Sequence, residues 1–426
     1  MFSSLIVSFI LAMIIVFQFP GAARSSDLLS LSAELKHRIG SKDSVVLADP
    51  DGRVLIRRNA ARKCVPASTL KVLTSLAALH HLGPAFRYPT EFYKDKQHNL
   101  IIKGYGDPLL VSEEVEHICS RLSKRLTKIH TIWVDDSHVA QPVRIPGRVP
   151  SVQPYDAPNG GVGVNFNTVY FKSENGAFKS AESQTPLLPL AMSKIRNSGM
   201  NAGRITLSHR HGEICRYAGE MFAYFLEKYG VKISGQPRVA LGGPFDESTV
   251  LVYRHQSRFD LETVIRQLLA YSNNYIANQL LLTLAATCRS IPGTVANGLS
   301  VLEAYSMDQL GIADIDLAEG SGISRLNRIR AIDMLKVLEA FKPYCHLLTY
   351  EKRQYFKTGT LFGISTRVGY FDLNGDGQFL YPFVVFMNTR GKRAEPATAM
   401  LERIARGHHL MSDRFGTDSR IRLRHG

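Results

Sequence analysis

The chain has 426 residues, 45% of them hydrophobic, enough to bury a large core in roughly two or three globular units, which excludes the fibrous and disordered classes. Its formal net charge of +15 raises nucleic acid as a partner, but the basic residues are scattered and not interleaved with aromatics in any recognition motif, so that partner is set aside. The five cysteines, Cys64, Cys119, Cys215, Cys288 and Cys345, are odd in number and widely spaced, so neither a Cys-x-x-Cys motif nor a disulfide framework is indicated.

Leu5 to Phe17 is apolar but for Ser8, Pro20 interrupts it, and Gly21-Ala22-Ala23 offers small residues before Arg24. In outline this is a secretory signal peptide over 1–23. It lacks the usual basic start, and Met1 to Phe19 is long enough to remain as an uncleaved anchor. The expected location is therefore periplasmic or otherwise extracytoplasmic, where a basic surface meets anionic envelope polymers or lipid head groups. The basic tail over 411–426, with Arg420, Arg422 and Arg424 alternating, is read either as such a contact or as a solvated, frayed terminus.

Ser30 to Gly40 reads as a short helix. The runs Ser44 to Ala48 and Arg53 to Ile56 flank Asp49-Pro50-Asp51-Gly52 and are expected to form a hairpin. Next comes Pro66-Ala67-Ser68-Thr69-Leu70-Lys71, followed by Val72 to Leu82 with apolar residues at helical spacing and no Pro or Gly. Ser68 should open a helix with Lys71 in its first turn, the two side chains on one face. A desolvated lysine there, or one near another cation, has a lowered pKa and can take the proton of a serine hydroxyl. Taken alone, Ser-x-x-Lys is more simply a capped core helix with a solvated lysine.

From Tyr88 to about Gly243 short apolar runs are broken by Gly, Pro and Asn, which predicts a β-rich inserted module with one helix, Gly219 to Tyr229. Helical texture resumes at Leu261 to Ala270, passes through Tyr271-Ser272-Asn273-Asn274-Tyr275, and continues over Ile276 to Thr287. The loop Glu319 to Arg325 precedes a helix over Arg330 to Phe341. Strands follow at Tyr355 to Thr360, Thr366 to Phe371 and Tyr381 to Met387, then a last helix, Pro396 to Arg406. Strands at both ends with helices between predict one α/β domain whose terminal strands share an antiparallel sheet. Asp372 to Gly377 fits the first half of a calcium loop, but Phe383 stands where the closing Glu belongs, so a hairpin turn is expected. His80-His81, His209-Arg210-His211 and His408-His409 have no companion ligand spacing and read as surface or packing residues. No metal and no cofactor is expected.

Three short signals thus occur in order: Ser68-x-x-Lys71, Ser272-x-Asn274 and Lys357-Thr358-Gly359-Thr360. Together they resemble the penicillin-recognising serine hydrolases. The wide gap between the first two narrows the resemblance to the class C low-molecular-mass penicillin-binding proteins, the D-alanyl-D-alanine carboxypeptidase/endopeptidase family. Gly104 to Pro108, Val134 to Ser137, Pro158 to Asn167 and Gly320 to Arg325 add to it, and Glu319, where the family is expected to carry Asp, departs from it.

The resemblance implies a serine β-lactamase/transpeptidase-like domain, an antiparallel sheet flanked by helices plus a helical subdomain. Its parts would be 24–87 and 255–410, split by the β-rich insertion at 88–254. It implies that Ser68 is the nucleophile, Lys71 the general base and Ser272 a proton relay to the leaving amine. Asn274 would bind substrate backbone, Lys357 would supply positive charge, and Thr358 and Thr360 would bind the terminal carboxylate. Gly359 would give room for the substrate backbone, and the N–H groups of Ser68 and Thr360 would form the oxyanion hole. The implied partners are peptidoglycan stem peptides, with β-lactams as covalent inhibitors. The competing readings are a β-lactamase or esterase of the same fold and a non-catalytic wall-binding protein.

Overall fold

The computed structural model describes residues 30–421 apart from Ser32, Lys36, Pro237, 241–244, Glu247 and Ser290. The expected signal peptide at 1–23 and the end of the basic tail lie outside the described residues. Among those described, no helix is long and apolar enough to cross a membrane.

A helical stretch at 30–38 (α1) leads into the hairpin of β1 (Ser44–Ala48) and β2 (Val54–Arg58). Asp49 builds its turn, Oδ1 accepting the N–H groups of Asp51 and Arg53 at 3.1 and 2.8 Å. Then come β3 (Lys63–Cys64), a 3₁₀ turn at Ala67–Leu70 and α2 (Lys71–Leu82).

The insert follows. In chain order it contains β4 (Arg87–Lys94), β5 (Leu100–Gly104), α3 (Ser112–Leu122), β6 (Lys128–Ile129), β7 (Ile132–Asp135), β8 (Thr168–Glu174) and β9 (Ala177–Ser180). It continues with α4 (Pro189–Ser198), β10 (Ala202–Thr206), α5 (His211–Lys228), β11 (Lys232–Ile233), β12 (Arg238–Ala240) and β13 (Val250–Asp260). A five-stranded sheet, β12-β7-β5-β4-β13, and a three-stranded sheet, β10-β8-β9, enclose its own apolar core around Phe92, Val134, Phe171, Met221 and Phe222.

The insert is rich in strands as expected, but the expectation of one helix needs correction, because α3 and α4 are present as well and α5 begins eight residues before Gly219. The signal for α3 is in the chain: Val115, Ile118, Cys119 and Leu122 are buried at helical spacing and Glu113 and Glu114 occupy the first turn. Short apolar runs on either side masked it. Within the five-stranded sheet two contacts, β5 with β7 and β7 with β12, are parallel, as is β6 with β11 beside it; parallel pairs need crossovers, and α3 and α5 supply them.

The chain returns through α6 (Leu261–Tyr271), α7 (Asn274–Cys288), α8 (Val295–Leu310), β14 (Ile329–Arg330) and α9 (Ala331–Phe341). It ends with β15 (Thr349–Glu351), β16 (Gln354–Leu361), β17 (Ile364–Asp372), β18 (Leu380–Met387) and α10 (Ala394–Ile421), much longer than the expected final helix. No helix was expected where α8 stands. Gly298 is there because a Cβ would strike the Leu281 carbonyl of α7, so the glycine lets two helix backbones approach.

The terminal strands do share one antiparallel sheet, in the order β15-β16-β17-β18-β1-β2. Every residue of β1 is buried, and its alternation divides two cores. Val46 and Ala48 face the core of α2, α6, α7 and α9, while Val45 and Leu47 face α1 and α10. This places α2 against one face of the sheet, with its first residue near β16 and β17.

Candidate active site

The turn before α2 is held from three sides. Ala67 takes a φ of +50°, a left-handed conformation costly for a residue with a Cβ. Thr366 of β17 donates to the Pro66 carbonyl at 2.7 Å, and the Asn388 amide oxygen accepts the Val65 N–H at 2.8 Å. Two glycines then close on the turn: a Cβ on Gly322 would collide with the Ala67 carbonyl, and one on Gly359 would come within 2.7 Å of the Ser68 nitrogen. Ser68 lies in the 3₁₀ turn rather than in the α-helix.

Lys71 is completely buried. Its Nζ donates to Ser68 Oγ at 2.9 Å, to Asn274 Oδ1 at 2.8 Å and to the Ser321 carbonyl at 2.7 Å. Burial, and then the charge of Lys357, hold its pKa down at about 7, against an upward pull from Glu319. The capped helix with a solvated lysine is therefore not what forms.

Ser272 and Asn274 reach the site because α6 stops and α7 starts between them. Ser272 adopts φ +54° as the C-cap of α6, and Asn273 caps α7 by accepting the Ile276 N–H at 3.2 Å. From β16, Lys357 Nζ donates to Ser272 Oγ and to the Thr358 carbonyl, both at 2.9 Å, and burial lowers its pKa to about 8. Ser68, Lys71 and Asn274 thus form one hydrogen-bonded group and Ser272 and Lys357 a second, and the Lys357 charge acts on Lys71 across the space between them.

Thr358 and Thr360 are exposed, alternating with buried Lys357 and Gly359. The Thr358 carbonyl accepts from Lys357, while the two threonine side chains stand on the exposed face of the strand. β15 pairs with β16 only as far as Phe356, so from Lys357 onward the outer backbone edge of β16 is open to another extended chain.

One residue plays a larger part than its sequence suggests. Glu319 is fully buried and its carboxylate accepts from Ser321 N and Oγ at 2.7 and 2.6 Å, Gly322 N at 2.7 Å and Ser324 N at 3.3 Å. Asn327 and Asn278 add amide donors at 2.7 and 3.1 Å. This shapes the loop that presents the Ser321 carbonyl to Lys71 and Gly322 to Ala67. The departure from Asp in the expected motif and the run of small residues after Glu319 were its only signals. Ser321 contributes to the Lys71 site through its backbone oxygen.

The model of the D-Ala-D-Ala carboxypeptidase 3 (S13) family matches residues 32–204 and 197–350, ending before Lys357. A curated D-alanyl-D-alanine carboxypeptidase from Actinomadura sp. (strain R39) is 24% identical over 349 residues, 70% of this chain, and the match spans 64% of that relative's length. Among solved structures, penicillin binding protein 4 from Haemophilus influenzae superposes with a TM-score of 0.69 at 19% identity, covering 87% of this chain and 97% of the other. A predatory endopeptidase from Bdellovibrio bacteriovorus does so at 0.52 and 16%, covering 85% and 92%. With the family match running through the turn that carries Ser68, the insert and the helical region, the chain belongs to the D-Ala-D-Ala carboxypeptidase 3 (S13) family.

Proposed function

We propose that the protein is a serine D-Ala-D-Ala carboxypeptidase acting on peptidoglycan stem peptides, with DD-endopeptidase activity on cross-linked ones, and that penicillin acylates it. The observation that carries this reading is a lysine with no solvent exposure and a pKa near 7, 2.9 Å from the Ser68 hydroxyl. Near neutral pH a large fraction of Lys71 is then a neutral amine, a base that a solvated lysine cannot be.

The substrate would lie as an extended strand along the open edge of β16, its terminal carboxylate on the hydroxyls of Thr358 and Thr360. Gly359 has no side chain to obstruct it. Lys71 takes the Ser68 proton as Oγ attacks the carbonyl of the penultimate D-Ala. The N–H groups of Ser68 and Thr360 receive the oxyanion. Ser272, held by Lys357, relays a proton to the departing amine of D-alanine, or of the second stem peptide in a cross-link. Asn274 orients Lys71 and offers its amide to the substrate backbone. Water then hydrolyses the acyl-enzyme.

The N-terminal 1–23 would act as the export signal, and the net positive surface would face anionic envelope material.

Fluorescent penicillin should label the protein covalently and Ser68→Ala should abolish labelling. Labelling that survives the substitution means that the nucleophile is another residue. Release of D-alanine from a pentapeptide distinguishes the enzyme from a non-catalytic wall binder, and slow loss of the penicilloyl group distinguishes it from a β-lactamase. Digestion of cross-linked muropeptides tests the endopeptidase activity.

A further inference from the structure

Away from the catalytic groups, Asp136, His211 and Cys215 converge on a common point in the insert, the sole such set of potential metal ligands among the described residues. Asp136 follows β7 and its carboxylate is fully buried, while His211 and Cys215 stand four residues apart at the start of α5, on one face. His211 Nε2 lies 2.7 Å from Asp136 Oδ2 and 3.3 Å from Cys215 Sγ. That nitrogen offers one hydrogen or one lone pair, so it cannot satisfy both neighbours. If it donates to the carboxylate, the thiol has no acceptor there. If it offers its lone pair, it faces the carboxylate without a proton between them.

A divalent ion at the common point resolves this conflict. Zinc bonds of about 2.0–2.1 Å to nitrogen, 2.0–2.2 Å to oxygen and 2.3 Å to sulfur put tetrahedral ligand atoms roughly 3.3 to 3.6 Å apart. The observed separations need to open by only about half an ångström.

The surroundings also fit. Asp136 Oδ2 accepts from Gln141 Nε2 at 3.0 Å and Oδ1 accepts the Val162 N–H, the type of support that orients a ligating carboxylate. Independently, the Tyr275 hydroxyl is buried without a hydrogen-bond partner among the described residues, and the Asp136 carboxylate is among the charges that act on it. A buried hydroxyl left in this state is what a bound polar group would satisfy.

We propose that Asp136, His211 and Cys215 bind a divalent transition-metal ion, with zinc the best match to one oxygen, one nitrogen and one sulfur donor, and with water completing the shell. Binding exchanges the thiol proton for the metal: Cys–SH and M²⁺ give Cys–S–M and H⁺, with no change of oxidation state. The ion joins α5 to the loop after β7. That region in turn reaches α7, since Asn159 donates to the Tyr275 carbonyl at 2.9 Å, one residue beyond Asn274. The site is a brace between the insert and a catalytic helix, with no part in the acyl-transfer chemistry.

The full chain, stripped with chelator and dialysed against zinc, should retain one ion per molecule by mass spectrometric metal analysis. Cobalt should give a thiolate charge-transfer band. Cys215→Ser should remove that band and weaken zinc by more than the roughly 10- to 100-fold that losing a partner hydrogen-bonded to a ligand costs. His211→Ala, at a partly exposed helix start, is the second variant should Cys215→Ser fold poorly. Zinc not retained by the wild type, or retained equally by both variants, overturns the proposal and leaves an ordinary Asp–His hydrogen bond.

Discussion

Glu319 in the body and Asp136 in the insert are both fully buried carboxylates that organise a loop, but they are neutralised differently. Glu319 is surrounded by neutral donors: backbone N–H groups, a hydroxyl and two amides. From there it acts at a distance on Lys71, pulling that pKa upward. Asp136 faces the imidazole of His211, and burial pushes its carboxyl upward. The contrast separates two uses of buried charge. In the body it is fixed to tune a neighbour; in the insert it sits among groups that can exchange a proton for another cation. The hydrophobic cores are separate too, one on the sheet and helices of the body, one within the insert.

The largest effect expected is at the centre of the body. Lys71→Ala should slow penicillin acylation by about 10²- to 10⁴-fold, the usual contribution of a positioned base. Stopped-flow or gel-based labelling rates measure it. Acylation at the wild-type rate would show that the buried lysine is not the base, and the distinction drawn for Glu319 would lose its object.

Phe222→Ala tests whether the two cores are independent. Phe222 is fully buried in the insert, edge-on to Phe92 with ring centroids 5.6 Å apart, so truncation should cost about 3 to 5 kcal/mol. The loss should appear as an early thermal transition of the insert, with the acylation rate of the folded protein unchanged. A single transition, with acylation lost in step, would mean that body and insert unfold as one.

How much could be read in advance follows the same division. The body was legible because each residue proposed as catalytic sits where a regular element begins, ends or loses its neighbour: Ser68 before a helix, Ser272 and Asn274 where one helix gives way to the next, Lys357 where the pairing of β15 with β16 has ended. Those places carry local signals that survive in a single sequence. The convergence of these groups was legible only through the resemblance, since nothing local states that β16 lies beside α2. Glu319 was hidden for another reason. Its role rests on six donors drawn from its own loop and from α7, and a buried acid looks like an exposed one until the fold closes over it. The insert was misread where parallel pairing needed crossover helices, and His211 was dismissed because its companions come from four residues along one helix and from a distant strand end.

The smallest expected effect is the most discriminating. Glu319→Gln preserves shape but removes the charge that stabilises protonated Lys71. Acylation requires the neutral amine, so its rate falls as pH drops through the Lys71 pKa near 7. Without the carboxylate the ammonium is less stable, the pKa falls further, and the acid limb should move down by about one unit. The amide also turns an N–H toward donors, which should cost about 1 to 3 kcal/mol of stability. Glu319→Asp keeps the charge while shortening the reach, so its limb should stay near that of the wild type even if the loop loosens. The pH dependence of the penicillin acylation rate constant decides. A limb that does not move in Glu319→Gln reduces Glu319 to a scaffold for the Ser321 carbonyl, and a limb that moves upward means that its charge does not reach Lys71 as the geometry implies.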